Sequence, residues 1–328
     1  MDKYDQRLVP VAFGLQNTGA ICYFNSFLQV LAGCPAFTKA VLSNSEYLHR
    51  TKTGTAIYAF VTCYSKQEPA CHMTSIILEA LVADLALRRP HVKFGGGQES
   101  ASETLVHLLD MMEPPRAADA AAEESPITRL FLHRFRCDIA CRKCKKEVST
   151  TTDYAVNFNL FHIDQMQSPP SFAADFSRAI QIQVSTTEGY NCPTCPCAIC
   201  GGVVVNATCQ ICRSMAVSST ATRVYSLTMI PEIVFCMFNL YVGYGGSRQA
   251  RYFPDHLEFL AASKDGYLIF QMVGQIEHVG ALSGGHYWAR GLRSDGAVYT
   301  LNDTSVSHSK FEPTANTYIV AYHYKNKQ

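Results

Sequence analysis

Four Cys-x-x-Cys pairs, Cys141/Cys144, Cys192/Cys195, Cys197/Cys200 and Cys209/Cys212, crowd the middle of this chain. A pair at that spacing places two thiolates on one tight turn, and two such turns close a tetrahedral site. Between Cys144 and Cys192 lie 47 residues, which permits two knuckles on adjacent hairpins. Cys141, Cys144, Cys192 and Cys195 are therefore expected to hold one zinc ion. Cys197, Cys200, Cys209 and Cys212 could bind a second zinc in a compact ribbon. Alternatively, one of these later pairs partners Cys141/Cys144 and the others stay free; the pairing is open at this stage. All-cysteine ligation leaves no position for water, so either ion would be structural. Cys34, Cys63, Cys71, Cys137 and Cys236 read as buried or incidental thiols.

The patterns on either side of the pairs set the fold class. Residues 1–112 read as largely helical, with apolar positions Ile76, Ile77, Leu81 and Leu85 at helical spacing. Residues 113–126 are small, acidic and flanked by prolines, a surface loop. Tyr154, Val156, Phe158 and Leu160 alternate as on one face of a strand, and Met229–Tyr241 reads as a buried strand. From Arg223 onward β patterns dominate: Tyr267–Val273, His286–Leu292, Ala297–Leu301 and Tyr318–Tyr324, with a Ser294-Asp295-Gly296 turn between the second and third. Helices followed by strands make this an α+β chain.

Charge argues against several function classes. Twenty-eight basic and 27 acidic residues give a net charge near +1, and no basic block serves phosphate neutralisation. No nucleic-acid partner is expected. No apolar run approaches the ~18–20 residues of a membrane span, and the first residues lack the apolar core of a signal peptide. A soluble intracellular protein, cytoplasmic or nuclear and monomeric, is the expectation, and a reducing compartment disfavours a disulfide role for the cysteines.

Near the N-terminus, Gly14 and Gly19 permit a tight loop before Cys22. Phe24, Phe27, Leu28 and Leu31 then follow at helical spacing, closed by Gly33 and Pro35. A cysteine at a helix N-terminus feels the positive end of the dipole, which favours its thiolate. Asn17, five residues earlier, could aim its amide at a developing oxyanion. By itself such a cysteine is usually an inert core thiol.

A thiolate protease also needs a histidine to take and return the proton, and a third group to orient it. Far down the chain, Gly284-Gly285-His286-Tyr287 opens one strand pattern and Asn302-Asp303 closes the next. Antiparallel pairing would bring His286 and Asn302 together. The two glycines would let a substrate chain approach without side-chain obstruction.

Together these segments resemble the ubiquitin-specific proteases, a papain-like family pictured as thumb, fingers and palm. The matching boxes are Gly14–Gln29; Gln98-Glu99-Ser100-Ala101-Ser102-Glu103, with Ser100 where the family usually has aspartate; the zinc knuckles, including Tyr190-Asn191-Cys192; Tyr252–Phe259; and Tyr267 through Asn302-Asp303 to Tyr318–Tyr322. The resemblance implies one catalytic domain over 1–328, with a thumb near 1–126, zinc-ribbon fingers at 127–222 and a palm at 223–328. It implies Cys22 as nucleophile, His286 as base then acid, Asn302 as orienter with Asp303 as second polar helper, and Asn17 as oxyanion donor. Gln98, Gly284, Gly285 and Tyr287 would contact substrate. The implied activity is thiol-dependent hydrolysis after the C-terminal Gly-Gly of ubiquitin on ubiquitinated proteins. The alternatives are a protease for a ubiquitin-like modifier, and a ubiquitin-binding pseudo-enzyme.

Overall fold

The structure is a computed structural model that describes residues 12–68, 72–94, 99–115, 125–155, 158–159, 182–192, 218–238, 252–260, 267–281 and 284–327. Backbone proximity divides the chain into two compact units. One comprises Met1–Leu132, Val156–Phe176 and Pro231–Gln328; the other comprises His133–Ala155 and Ser177–Ile230.

The first unit opens with six helices: α1 (Cys22–Ala32), α2 (Pro35–Ser43), α3 (Ser45–Leu48), α4 (Lys52–Ser65), α5 (Met73–Arg88) and α6 (Ala101–Met112). Every residue of α1 is buried, so this helix is the core's axis rather than a half-exposed face. Phe24, Phe27, Leu28 and Leu31 are fully buried, as their spacing predicts. Each such side chain contributes about 1.5–3 kcal/mol on leaving water. Proline at the first position of α2 stops α1 from continuing. Thr51 caps α4 by accepting from the Gly54 N–H at 2.9 Å, worth about 1 kcal/mol. On α5, Ile77, Leu81 and Leu85 face the core, whereas Ile76 stands 46% exposed. Among the described residues no single helix is long and apolar enough to cross a membrane.

The second unit is a four-stranded antiparallel sheet built from β1 (His133–Cys141), β2 (Glu147–Ala155), β4 (Ile182–Asn191) and β5 (Ser218–Met229), in the order β2-β1-β5-β4. Between β2 and β4 in sequence, β3 (Phe158–Asn159) belongs to the first unit. The single strand expected around Tyr154, Val156, Phe158 and Leu160 is thus divided between two sheets. Of the run Met229–Tyr241, Met229 ends β5 and Ile233–Met237 forms β6, four of whose five residues are buried.

The first unit's sheet adds β7 (His256–Leu260), β8 (Tyr267–Ala281), β9 (Gly284–Leu292), β10 (Val298–Asn302), β11 (Ser305–Ser309) and β12 (Thr317–Lys327). Its order is β11-β10-β9-β8-β12-β6-β3, with β7 also on β8. The long β8 pairs its first residues with β7 and its last with β9. Helix α1 packs across β9 and β8. The start of that helix therefore meets the start of β9, where the sequence placed its two reactive side chains.

Candidate active site

Cys22 opens α1 and is 3% exposed. Burial pushes its thiol pKa above the ordinary 9.0, against backbone hydrogen bonds from Tyr287, Tyr23 and its own amide; nearby Asp303 raises it further. The Tyr287 contact places the thiol against β9, one residue from His286. The amides at the helix start thus favour the thiolate, but burial outweighs them.

Strand pairing does the rest. In β9 and β10, Leu301 lies opposite Ala289, so Asn302 comes beside the start of β9. The His286 Nε2 and Asn302 Oδ1 are 2.7 Å apart. Because Oδ1 can only accept, Nε2 must carry the proton, which leaves the lone pair on Nδ1. Trp288 stacks at 6.2 Å along the same face.

Asp303, the expected second polar helper, follows Asn302 directly. It occupies the turn between β10 and β11 with a left-handed φ of 51°, a conformation Asp and Asn tolerate better than most. Its carboxylate accepts from Asn17 Nδ2 at 3.0 Å and from Asn25 Nδ2 at 2.7 Å, so it braces the loop before Cys22. The Asp303 carbonyl also accepts from the Leu15 N–H at 2.8 Å. A side chain on Gly14 would come 2.5 Å from the Thr304 Cα, which is why the loop can dock so closely. The Asn17 Oδ1 accepts from the Gly19 and Ile21 amides at 3.1 and 3.3 Å. Its orientation is therefore fixed, and one Nδ2 hydrogen is left over for another acceptor.

The other expected substrate contacts are distributed unevenly. Gly284 and Gly285 are exposed at the start of β9. Gly285 is tightly underpinned, since a Cβ there would lie 2.5 Å from His278 Nε2. The Tyr287 ring is buried and lies tilted 4.2 Å from the ring of His278. Gln98 lies outside the described residues, while its neighbour Ser100 meets the Tyr318 hydroxyl at 3.0 Å.

Asn25 and His278 are not singled out by the sequence. The signal for Asn25 was a carboxamide three positions after Cys22 on a helix whose other residues are mostly apolar, which is the same face. His278, 3% exposed beneath the glycines, had no local pattern to separate it from a packed core histidine.

In the four-stranded sheet, the sulfurs of Cys141, Cys144 and Cys192 lie within 4.8 Å of one another. The turn after β1 is closed by a Lys145 N–H to Cys141 carbonyl bond of 2.8 Å, with Lys145 at a left-handed φ of 57°. Cys144 and Cys192 sulfurs are 3.7 Å apart, close to the spacing of about 3.8 Å that a tetrahedral ion with ~2.3 Å bonds to sulfur would impose. These three thiols could hold a metal ion. Cys195, Cys197, Cys200, Cys209, Cys212 and Cys71 lie outside the described residues. Cys34, Cys137 and Cys236 are buried and Cys63 is half-buried, matching the expectation of core thiols.

The family model for ubiquitin carboxyl-terminal hydrolase matches residues 13–322. The chain belongs to that family. Among curated relatives of this hydrolase, ubiquitin carboxyl-terminal hydrolase 36 of Drosophila grimshawi is 24% identical over 352 aligned residues, covering 98% of this chain and 26% of that protein. Ubiquitin carboxyl-terminal hydrolase 17-like protein A of Mus musculus is 24% identical, covering 94% of this chain and 56% of that protein. The chain thus spans between about a quarter and somewhat over half of the length of these relatives. Among solved structures, the SAGA DUB module of Ubp8, Sgf11, Sus1 and Sgf73 bound to monoubiquitin superposes with a TM-score of 0.69 at 17% identity, over 98% of this chain and 71% of that one. A yeast SAGA DUBm structure gives 0.70 at 18%, over 99% and 70%. The mixed helix-and-sheet fold is therefore the papain-like fold of this family. Those neighbours are multi-subunit assemblies, so they lend no support to the monomer expected from sequence.

Proposed function

We propose that this chain is a thiol-dependent deubiquitinase that hydrolyses the isopeptide or peptide bond following the C-terminal Gly-Gly of ubiquitin. Membership of the family supports the reaction class, and the 2.7 Å bond between His286 and Asn302 is the observation that carries it. That bond leaves Nδ1 of His286 basic and holds the ring without supplying a charge.

In the mechanism, the His286 Nδ1 takes the proton of the Cys22 thiol as the sulfur attacks the carbonyl carbon of the terminal glycine. The carbonyl electron pair moves onto oxygen, and the spare Nδ2 hydrogen of Asn17 receives that oxyanion. As the C–N bond breaks, the imidazolium returns its proton to the leaving amine. The product is a thioester between Cys22 and ubiquitin. His286 then deprotonates a water, which attacks the thioester carbon and expels the thiolate, releasing the ubiquitin carboxylate. Gly284 and Gly285 leave room for the extended tail beside His286. Asp303 acts through Asn17, not through the imidazole.

The metal is proposed to be zinc, held by Cys141, Cys144 and Cys192 with Cys195 as the fourth ligand. It would brace the turn ends of β1 and β4 and take no part in the chemistry. Ubiquitin, free or conjugated, is the proposed partner.

A ubiquitin carrying a C-terminal electrophile tests the reading. The expected product is a covalent adduct on Cys22 that is absent in Cys22→Ser and in His286→Ala. A folded, metal-loaded wild type that forms no adduct would overturn the assignment. Labelling by a probe built on a ubiquitin-like modifier instead would move it to that substrate.

A further inference from the structure

A buried cation sits at the far end of the nucleophile helix. Arg293 follows β9 and is 2% exposed. Its Nη2 donates to the Gln29 carbonyl at 3.1 Å, to the Gln29 Oε1 at 2.7 Å and to the Tyr64 hydroxyl at 3.3 Å. Its Nη1 donates to the Leu292 carbonyl at 3.0 Å. None of these partners is a carboxylate. A guanidinium out of water with no carboxylate partner among the described residues is costly, and the last turn of α1, the negative end of that helix, faces it. Room has been made for it: a Cβ on Gly291 or Gly33 would come 2.5 or 2.9 Å from Nη1.

Gln29 passes the constraint onward. Its Oε1 accepts from Arg293 and from Tyr64 at 2.6 Å, and its Nε2 donates to the Phe13 carbonyl at 2.7 Å. The Phe13 ring packs 4.2 Å from that of Tyr64. Phe13 begins the loop whose Leu15 amide and Asn17 side chain are both held by Asp303. A carboxamide is the side chain that suits position 29, because one end must accept and the other must donate.

We propose that Gln29 and Arg293 are positioning residues for the reaction. They tie the loop that carries Asn17 to α1 and to the end of β9, so that Asn17 keeps its place beside Cys22. This inference rests on the reading of Asn17 as oxyanion donor. Simple core filling would account for their burial but not for the line of directed bonds that ends on the loop.

Gln29→Glu separates the two roles. A carboxylate at 29 keeps the acceptor for Arg293 and Tyr64 and adds an anion for the guanidinium. It turns the other oxygen against the Phe13 carbonyl, acceptor against acceptor. On a ubiquitin–fluorophore substrate, kcat is expected to fall at least tenfold with KM within about twofold, and thermal stability is expected to hold. The ceiling is the loss from removing an oxyanion donor outright, roughly 100- to 1,000-fold. In an Asn17→Ala background the same substitution is expected to cost less than about twofold, because the loop then has nothing left to position. Wild-type kcat in Gln29→Glu, or an undiminished loss in the Asn17→Ala background, would overturn the inference. If Asn17→Ala alone leaves kcat intact, the oxyanion reading itself fails and takes the inference with it. Should Gln29→Glu not fold, Arg293→Met, uncharged and of similar length, goes through the same cycle: an Asn17-dependent fall in kcat is expected, and wild-type kcat or an undiminished loss overturns the inference. Buried ionic groups often tolerate such replacement.

Discussion

Asp303→Asn perturbs the site most informatively, because its two expected consequences run in opposite directions. The carboxylate receives one bond from Asn17 and a shorter one from Asn25, each charge-assisted and worth about 1.5–3 kcal/mol. An amide at 303 offers one acceptor oxygen, and its NH₂ must then confront one of two asparagine NH₂ groups. Asn25 is 2% exposed and cannot turn to water, so the oxygen goes to Asn25 and Asn17 loses its brace. Backbone strain does not enter, since asparagine accepts the left-handed φ of this turn. The loss in kcat is bounded by that for deleting an oxyanion donor, about 100- to 1,000-fold; a donor left in place but unbraced should cost about 10- to 100-fold. The substitution also removes the negative charge that raises the Cys22 pKa, so the free thiol should ionise more readily. Turnover of ubiquitin bearing a C-terminal aminocoumarin should therefore fall, while iodoacetamide should alkylate Cys22 faster at neutral pH without substrate. Unchanged turnover would refute the brace. A fall in both rates would refute the separation of roles, since it would mean that Asp303 serves the thiol or the imidazole directly.

Three further outcomes are expected. Gly285→Ala forces a Cβ inside contact distance of the Val279 carbonyl and to 2.5 Å from His278 Nε2; β9 must shift beside His286, and activity should drop more than a hundredfold with metal content unchanged. Burial pushes His323 from 6.5 down to about 4. The fold therefore prefers the neutral ring, and its contribution is complete above pH ~6.5. As pH falls towards ~4 about 3 kcal/mol is lost, so urea midpoints should slope less steeply with pH in His323→Gln than in wild type. Chelating the metal should speed amide exchange in the β1–β2 turn around Cys141 and Cys144; exchange there unaltered by a chelator that demonstrably strips zinc would count against a structural metal.

The fold class and the two reactive ends were readable because each depends on local pattern. Phe24, Phe27, Leu28 and Leu31 announce a buried helix starting at Cys22, and the alternation through His286–Leu292 and Ala297–Leu301 announces a hairpin. Pairing in that hairpin is what delivers Asn302 to His286, so even their contact was implicit in strand register. What was not readable depends on which polar side chains meet across the core. The resemblance implied only that Asp303 is a second polar helper beside Asn302; that its carboxylate meets Asn17 and Asn25 is visible only in the fold. Tyr287, the neighbour of His286 on β9, faces the opposite side of the strand, and its packing on His278 is likewise a contact across the core. Arg293 has no motif to mark it, and nothing short of the folded core shows that Gly33 and Gly291 leave space for it.

The bonds that fix the site also explain why its two halves can sit at opposite ends of the chain. Asn17 and Asp303 are 286 positions apart, Asn25 and Asp303 278, and Gln29 and Arg293 264. Loop-closure entropy grows only logarithmically, so doubling the intervening length costs about 0.6 kcal/mol. A single charge-assisted bond at Asp303 exceeds that. All three pairs, with α1 and β8–β11, belong to the first compact unit, so the geometry at Cys22 does not depend on how many residues separate the halves.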